Sequence, residues 1–324
     1  MTDITMIEAA AARARGVVRE TPLLNSPFLD DLAGRPVFAK AEVLQHTGSF
    51  KFRGGWSALS ALDDSARARG VLAYSSGNHA QGVARAAALH GVAATIIMPR
   101  DAPALKIDNT RALGAEVVLY DRAGGESRET IGDRLCDERG LTLVKPYDEP
   151  QVIAGQGTCG LEIAAQARAA GVTEATVLTC CGGGGLTAGI ALALEAHAPG
   201  MVVRPVEPEG FDDTAQSLAS GDRVGHGGVE AGFCDAILTA MPGEITFPII
   251  KRLCGAGIVV TEAEVRAAMR HAMSRLKLVV EPGGAVALAA ALFHGDALAP
   301  GPVICTLSGG NVDAGLFADV LTGA

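Results

Sequence analysis

Ala175-Thr176-Val177-Leu178-Thr179-Cys180-Cys181-Gly182-Gly183-Gly184-Gly185-Leu186-Thr187-Ala188-Gly189 is the stretch on which the fold turns. Its apolar, β-branched start predicts a strand to Cys180, and the Ala- and Leu-rich run from Leu186 predicts a helix. Four glycines lie between. Residues without Cβ let successive backbone N–H groups turn toward one anion, and a helix start adds partial positive charge. Strand, loop and helix together point to a phosphate cup at Gly182, Gly183, Gly184 and Gly185. No Gly-Lys-Ser/Thr follows, which excludes a Walker A loop, and the spacing is not GxGxxG. The run alone leaves open a strained turn that holds no ligand.

Outward from this stretch, short β-rich runs alternate with Ala-rich helical ones. Strands are expected at Val71–Tyr74, Ala94–Met98 and Val117–Tyr120, and helices at Gln81–His90, Lys106–Leu113 and Gly125–Arg139. That block, from about Gly70 to Pro146, reads as a βαβαβ unit. Later come helices at Leu161–Ala170, Glu262–Leu276 and Gly284–Leu292, and strands at Val202–Val206 and Val303–Leu307. The fold class is α/β, with two stacked units of mostly parallel sheet flanked by helices. A cleft is expected at the carboxyl ends of the strands.

Composition narrows the function. Of 324 residues, 48% are hydrophobic and 19% charged, a globular balance that argues against disorder. A net charge of -9 without a basic block argues against nucleic acid. No apolar run approaches the ~18–20 residues that span a bilayer, and the N-terminus has no apolar signal core. Seven cysteines, none spaced as CxxC, suit a reduced, cytoplasmic protein.

Three further islands carry chemistry. In Gln45-His46-Thr47-Gly48-Ser49-Phe50-Lys51-Phe52-Arg53-Gly54-Gly55, a lysine between two aromatics is expected in a tight turn. Desolvation there disfavours the ammonium, and a neutral amine is what Schiff-base chemistry requires. A lysine stem laid on apolar surface is the plainer alternative. Ser75-Ser76-Gly77-Asn78-His79-Ala80-Gln81 follows a strand and opens a helix. Its Ser and Asn read as N-caps or as donors to a bound carboxylate or phenolate, and His79 alone reads as a structural histidine. Leu307-Ser308-Gly309-Gly310-Asn311 ends a buried strand with a hydroxyl and two glycines.

In this order the four islands resemble the fold-type II pyridoxal-phosphate enzymes, and more narrowly the serine/threonine dehydratase and serine racemase family. The resemblance runs from Thr21-Pro22-Leu23 to Asn311. It takes in Met98-Pro99, Pro103, Lys106, Thr110, Gly155-Gln156-Gly157-Thr158 and Glu162. It implies a tryptophan-synthase-β-like fold, with residues 1–69 and 148–324 forming a large cofactor-binding domain. Residues 70–147 would form a small domain that closes over the cleft.

The same resemblance implies pyridoxal 5′-phosphate as cofactor. Lys51 would bond its aldehyde and then act as base at Cα. Phe50 would lie beside it, Asn78 would meet its phenolic oxygen, and Ser308 its pyridine nitrogen. Gly182, Gly183, Gly184, Gly185 and Leu186 would hold its phosphate. Ser75, Ser76, Asn78 and His79 match the loop that takes the substrate carboxylate, and Ser76 matches the residue on the opposite face of Cα in racemases. Glu281-Pro282-Gly283-Gly284 resembles a late acidic motif with a supporting role.

The implied activity is that of a lyase. It would eliminate water from a β-hydroxy amino acid such as L-threonine or L-serine, giving a 2-oxo acid and ammonia. A hydroxyl at the pyridine nitrogen makes the ring a moderate electron sink, which favours prompt loss of the β-group over transamination. Racemisation of serine uses the same residues. Dehydration of 3-hydroxyaspartate, or of a related polar substrate, would call for extra cations in the pocket, with Arg53 and His46 as candidates. Glu207-Pro208-Glu209-Gly210-Phe211-Asp212-Asp213 resembles the family's Mg2+ or Ca2+ site, with Glu207, Asp213 and the Phe211 carbonyl as oxygen ligands. A solvated acidic loop is the alternative. Partners are expected to be a small amino acid and a second copy of the chain, as a homodimer, with no nucleic acid and no membrane.

Overall fold

A computed structural model of the chain describes residues 2–102, 104–225 and 232–323. Pro103, part of the quoted resemblance, lies outside the described residues. The strands are β1 (Leu23–Asn25), β2 (Val37–Lys40), β3 (Val71–Tyr74), β4 (Ala94–Pro99), β5 (Glu116–Tyr120), β6 (Thr142–Leu143), β7 (Ala175–Cys180), β8 (Met201–Pro208), β9 (Ile258–Val260) and β10 (Val303–Thr306).

They form a six-stranded sheet in the order β1-β2-β10-β7-β8-β9 and a four-stranded sheet in the order β5-β4-β3-β6. Only β1 runs antiparallel to its neighbour. Helices cover both faces of parallel sheets, so the strands read as unbroken apolar runs. Every residue of β4 and of β10 is buried. The helix Pro282–Phe293 is buried from Pro282 to Leu292 and so has no polar face, as a helix inside the core requires.

Several elements depart from the sequence expectation, each for a local reason. Lys51 does not sit in a tight turn: it is the first residue of the helix Lys51–Ser60. The turn lies just upstream, where Thr47 takes a positive φ of 59°. Gly54 and Gly55 are inside that helix, where glycine costs propensity and so must serve packing. A Cβ on Gly55 would stand 3.0 Å from the Gly82 carbonyl, and one on Gly82 would stand 2.9 Å from the backbone of Lys51. Glycine-mediated approach thus presses the Lys51 helix onto the helix Asn78–His90.

The helix expected from Leu161 is the second half of a 20-residue helix, Pro150–Ala169. Its glycines let the helix Gly185–His197 approach closely, and a Cβ on Gly189 would stand 2.6 Å from the Gly157 nitrogen. The helix expected over 262–276 stops at His271, continues as the π-turn Ala272–Leu276 and ends at Lys277 with φ 61°.

Candidate active site

Lys51 reaches from its helix to the segment between β6 and the helix Pro150–Ala169. Its Nζ donates to the Pro146 carbonyl at 2.7 Å and lies 5.1 Å from the centre of the Phe50 ring. Burial pulls its pKa down to about 8, against the opposing pull of the Glu281 carboxylate. An amine so placed is available as a neutral nucleophile and base near physiological pH. The Phe50 N–H donates to the Ser308 carbonyl at 3.1 Å, and Ser49 bridges to Gly309. The segment carrying Lys51 is therefore joined to the loop after β10, where Ser308 is buried.

The glycine loop follows β7. Gly184, with φ 90°, is the N-cap of the helix Gly185–His197, and no side chain caps that helix start. Its first-turn N–H groups are thus left for an anion. The loop is packed tightly from behind. A Cβ on Gly183 would overlap the Tyr147 ring, one on Gly184 would stand 2.6 Å from Ile250, and one on Gly182 would stand 3.1 Å from Ile237. Thr246 Oγ1 pins the loop by donating to the Gly183 carbonyl at 2.7 Å. Leu186 is buried in the first helical turn.

A second uncapped start faces the cleft. Gly77 is the N-cap of the helix Asn78–His90, again without a side-chain cap. Ser75 Oγ accepts from the Gly77 N–H at 3.2 Å, while Ser76 is exposed. The Asn78 amide is fixed at both ends: its Nδ2 donates to Glu281 Oε1 at 2.6 Å, and its Oδ1 accepts from Asn311 Nδ2 at 2.7 Å. Burial raises the Glu281 pKa to about 7 against the hydrogen bond from Asn78. Sequence reasoning gives Glu281 only a supporting part. Its neighbours come from distant segments, and only the fold brings them to it.

The structure places some candidates differently. The His79 imidazole points inward, with Nε2 2.9 Å from the Val144 carbonyl. Burial, then the charge of Lys51, drives its pKa down to about 3, so the ring is neutral. Only the backbone of His79 is left at the helix start. Arg53 and His46 do not line the substrate pocket. Arg53 is bound to the carboxylates of Glu42 and Glu162, and His46 approaches the Val17 carbonyl at 2.9 Å and packs on Phe52.

A cation that sequence reasoning misses is Arg128, half-exposed and paired with Glu129 at 2.7 Å. Its guanidinium lies 5.2 Å from the centre of the Tyr74 ring and within electrostatic reach of Tyr120 and Tyr147. The chain has three tyrosines, and all three gather here. Tyr147 links the group to the cup, since its ring packs on Gly183.

In the acidic segment after β8, Glu207 is buried and accepts from the N–H groups of Thr214 at 2.9 Å and Ala215 at 2.8 Å. Burial and the neighbouring Asp213 raise its pKa to about 8. Asp213 and Phe211 are also buried. Among the described residues, no group of three or more His, Cys, Asp or Glu side chains gathers in metal-binding geometry.

A half-buried lysine whose pKa is drawn down to about 8 lies near two uncapped helix starts, one behind a glycine cradle. Nearby, Ser49 Oγ and His79 Nδ1 are buried without a hydrogen-bond partner. Such a site fits a phosphate-bearing carbonyl cofactor held on a lysine, and defines the class. The model of the family "Pyridoxal-phosphate dependent enzyme" matches residues 14–309, and the chain belongs to that family.

Among curated relatives, the L-threo-3-hydroxyaspartate ammonia-lyase of Pseudomonas sp is 44% identical, covering 97% of each chain. Among solved structures, a threonine deaminase of T.th. is 45% identical with a TM-score of 0.89, covering 96% of this chain and 99% of that one. The serine racemase of maize is 35% identical with a TM-score of 0.90, covering 99% and 97%.

Proposed function

We propose that this chain eliminates water from a β-hydroxy amino acid bearing a second acidic group, of the 3-hydroxyaspartate type, to give a 2-oxo acid and ammonia. The substrate class is carried by Arg128, a half-exposed cation within electrostatic reach of the tyrosine that packs on the cup, which would exchange its pairing with Glu129 for the substrate's second carboxylate. The relatives named for 3-hydroxyaspartate support it. Pyridoxal phosphate, when bound, supplies the electron-withdrawing ring that acidifies Cα. The protein does the rest. The glycine loop and the start of the helix Gly185–His197 hold phosphate, Asn78 and Ser308 orient the ring, and Phe50 lies beside it. The Ser75 hydroxyl and the backbone N–H groups of Ser76, Asn78 and His79 receive the α-carboxylate. Lys51, as the free amine, takes the Cα proton.

The test is ammonia and 2-oxo acid release from L-threo-3-hydroxyaspartate, L-threonine and L-serine. Arg128→Met is expected to raise KM for the dicarboxylic substrate roughly 10–100-fold, the range for losing a hydrogen bond to a charged group, and to leave threonine unchanged. Equal losses on both substrates would remove Arg128 from the pocket. Racemisation is the second reading, favoured by the exposed Ser76 hydroxyl beside the uncapped helix start, and change of chirality in the same assay separates it.

We further propose that residues 70–147 move as the small domain, since the four-stranded sheet lies wholly within them. Glu207, Asp213 and the Phe211 carbonyl are proposed to hold Mg2+ or Ca2+, because two adjacent buried carboxylates favour a hard cation. EDTA and Asp213→Ala should then lower the melting temperature alike. The chain is proposed to work in the cytoplasm as a homodimer; among the described residues no helix is long and apolar enough to cross a membrane. Exposed Phe28 and Met273, with Arg275 over the Phe28 ring, form an apolar patch suited to a second copy.

A further inference from the structure

Two residues after Lys51, on the other side of the same helix, the Arg53 guanidinium is completely buried. It makes paired hydrogen bonds with two carboxylates. Nε and Nη2 donate to Glu42 at 2.7 and 2.8 Å, and Nη1 and Nη2 donate to Glu162 at 2.6 and 2.8 Å. Thr158 Oγ1 accepts a further bond from Nη1 at 3.0 Å. Lys40, also fully buried, donates to Glu162 at 2.6 Å and to Gln166 at 3.0 Å. Two cations and two anions thus form a neutral quartet. It ties the first turn of the Lys51 helix to β2, to the segment Glu42–Leu44 and to the helix Pro150–Ala169.

Burying such a quartet is a poor way to gain stability. The desolvation of the ions roughly cancels their attraction, and well-packed apolar side chains of the same volume do as well or better. What paired, planar hydrogen bonding does supply is direction. A helix held only by apolar contact can rotate by small steps, whereas a guanidinium clasped by two carboxylates from two other elements cannot.

We infer that the Arg53–Glu42–Glu162–Lys40 quartet is a positioning device that sets the rotation of the Lys51 helix, and with it where Lys51 Nζ stands between the Pro146 carbonyl and the cofactor. The glycine contacts at Gly55 and Gly82 bring the helix close to its neighbour, Phe50 and Trp56 tie it by single hydrogen bonds to Ser308 and Arg13, and the quartet adds the one charged, paired hold on its far side. This rests on Lys51 being the residue that bonds the cofactor.

The test compares Arg53→Lys, Glu162→Gln and an apolar quartet (Arg53→Met, Glu42→Leu, Glu162→Leu, Lys40→Met) with the parent. The readouts are melting temperature, pyridoxal-phosphate Kd, and the pH midpoint of the bound cofactor's visible absorbance. The apolar quartet is expected to melt no lower than the parent, yet to bind cofactor at least tenfold more weakly with a displaced midpoint. Arg53→Lys keeps the charge but loses the fork, and should show the same spectroscopic change in smaller measure.

Variants that fold but keep the parent's Kd and midpoint overturn the inference, whatever their melting temperatures. Should the larger variants fail to fold, Glu162→Gln, at the one partly exposed member, decides it by the same two readouts. Lys51→Ala is the control. If it retains the parent's absorbance and midpoint, the assignment of Lys51 is at fault; if it loses them while the Arg53 variants do not, only the positioning role fails.

Discussion

Burial acts on Lys51 and Glu281 in opposite senses, because each is pushed toward its neutral form. For Lys51, the fall from 10.5 to about 8 means that the unfolded chain holds the extra proton between those values. Its contribution to stability is therefore full above 10.5 and lost as pH falls through about 8. Lys51→Ala should release no ammonia and show no lysine-linked cofactor absorbance, with its fold intact by circular dichroism; undiminished turnover would remove Lys51 from the chemistry. For Glu281, the rise from 4.5 to about 7 reverses the sign. Its contribution is full below 4.5 and lost as pH rises through about 7. At about 1.4 kcal/mol per unit, this group alone should account for a loss of roughly 3 kcal/mol across that window in the cofactor-free protein. Glu281→Gln should lower the slope by that share and leave the part that Glu207, raised to about 8, contributes, as pH-dependent urea unfolding would show. An unchanged slope would place the titration elsewhere.

At the scale of elements, the cup depends on what stands behind it. Since a Cβ on Gly183 would overlap the Tyr147 ring, Gly183→Ala should cost about 1–3 kcal/mol of overpacking and weaken pyridoxal-phosphate binding. In a Tyr147→Ala background the same change should cost much less, a coupling that a double-mutant cycle on Kd would reveal. Equal costs in both backgrounds would mean the ring is not the barrier. β7, the glycine loop and the following helix are legible in the sequence because a long apolar strand, a four-glycine break and an Ala-rich run are each unambiguous. β1, β6 and β9, of two or three residues each, are too short to show a period, and β2, at four, ends in a lysine that breaks its apolar run. Placing Lys51 in a turn also misplaces Arg53. Once Lys51 begins a helix, ~100° per residue sends the side chain two positions on to the far side, away from the pocket. Tyr147 meets the cup, Arg128 the tyrosines and Glu281 the Asn78 amide only through the packing of distant segments, and no local pattern marks them.

Across the whole molecule, the two sheets meet at the cleft through few polar links. Among the described residues, Lys106–Asp235, at 3.1 Å, is the one ion pair that joins the segment 71–143 to the rest of the chain. Lys106 is mostly buried and Asp235 mostly exposed, so salt partly screens their attraction. Asp235 in turn lies within electrostatic reach of Glu281, which connects the pair to the bonds around Asn78. If residues 70–147 close over bound substrate, this pair favours the closed arrangement and acts on binding more than on chemistry. Lys106→Met should raise KM a few-fold with little change in kcat, and should remove most of the salt dependence of KM seen in the parent. A matching fall in kcat would instead put Lys106 among the groups that touch the reacting atoms. If KM in the parent does not respond to salt at all, the two sheets are held together by their apolar contacts and by uncharged links such as the bonds of Asn78 to Glu281 and Asn311.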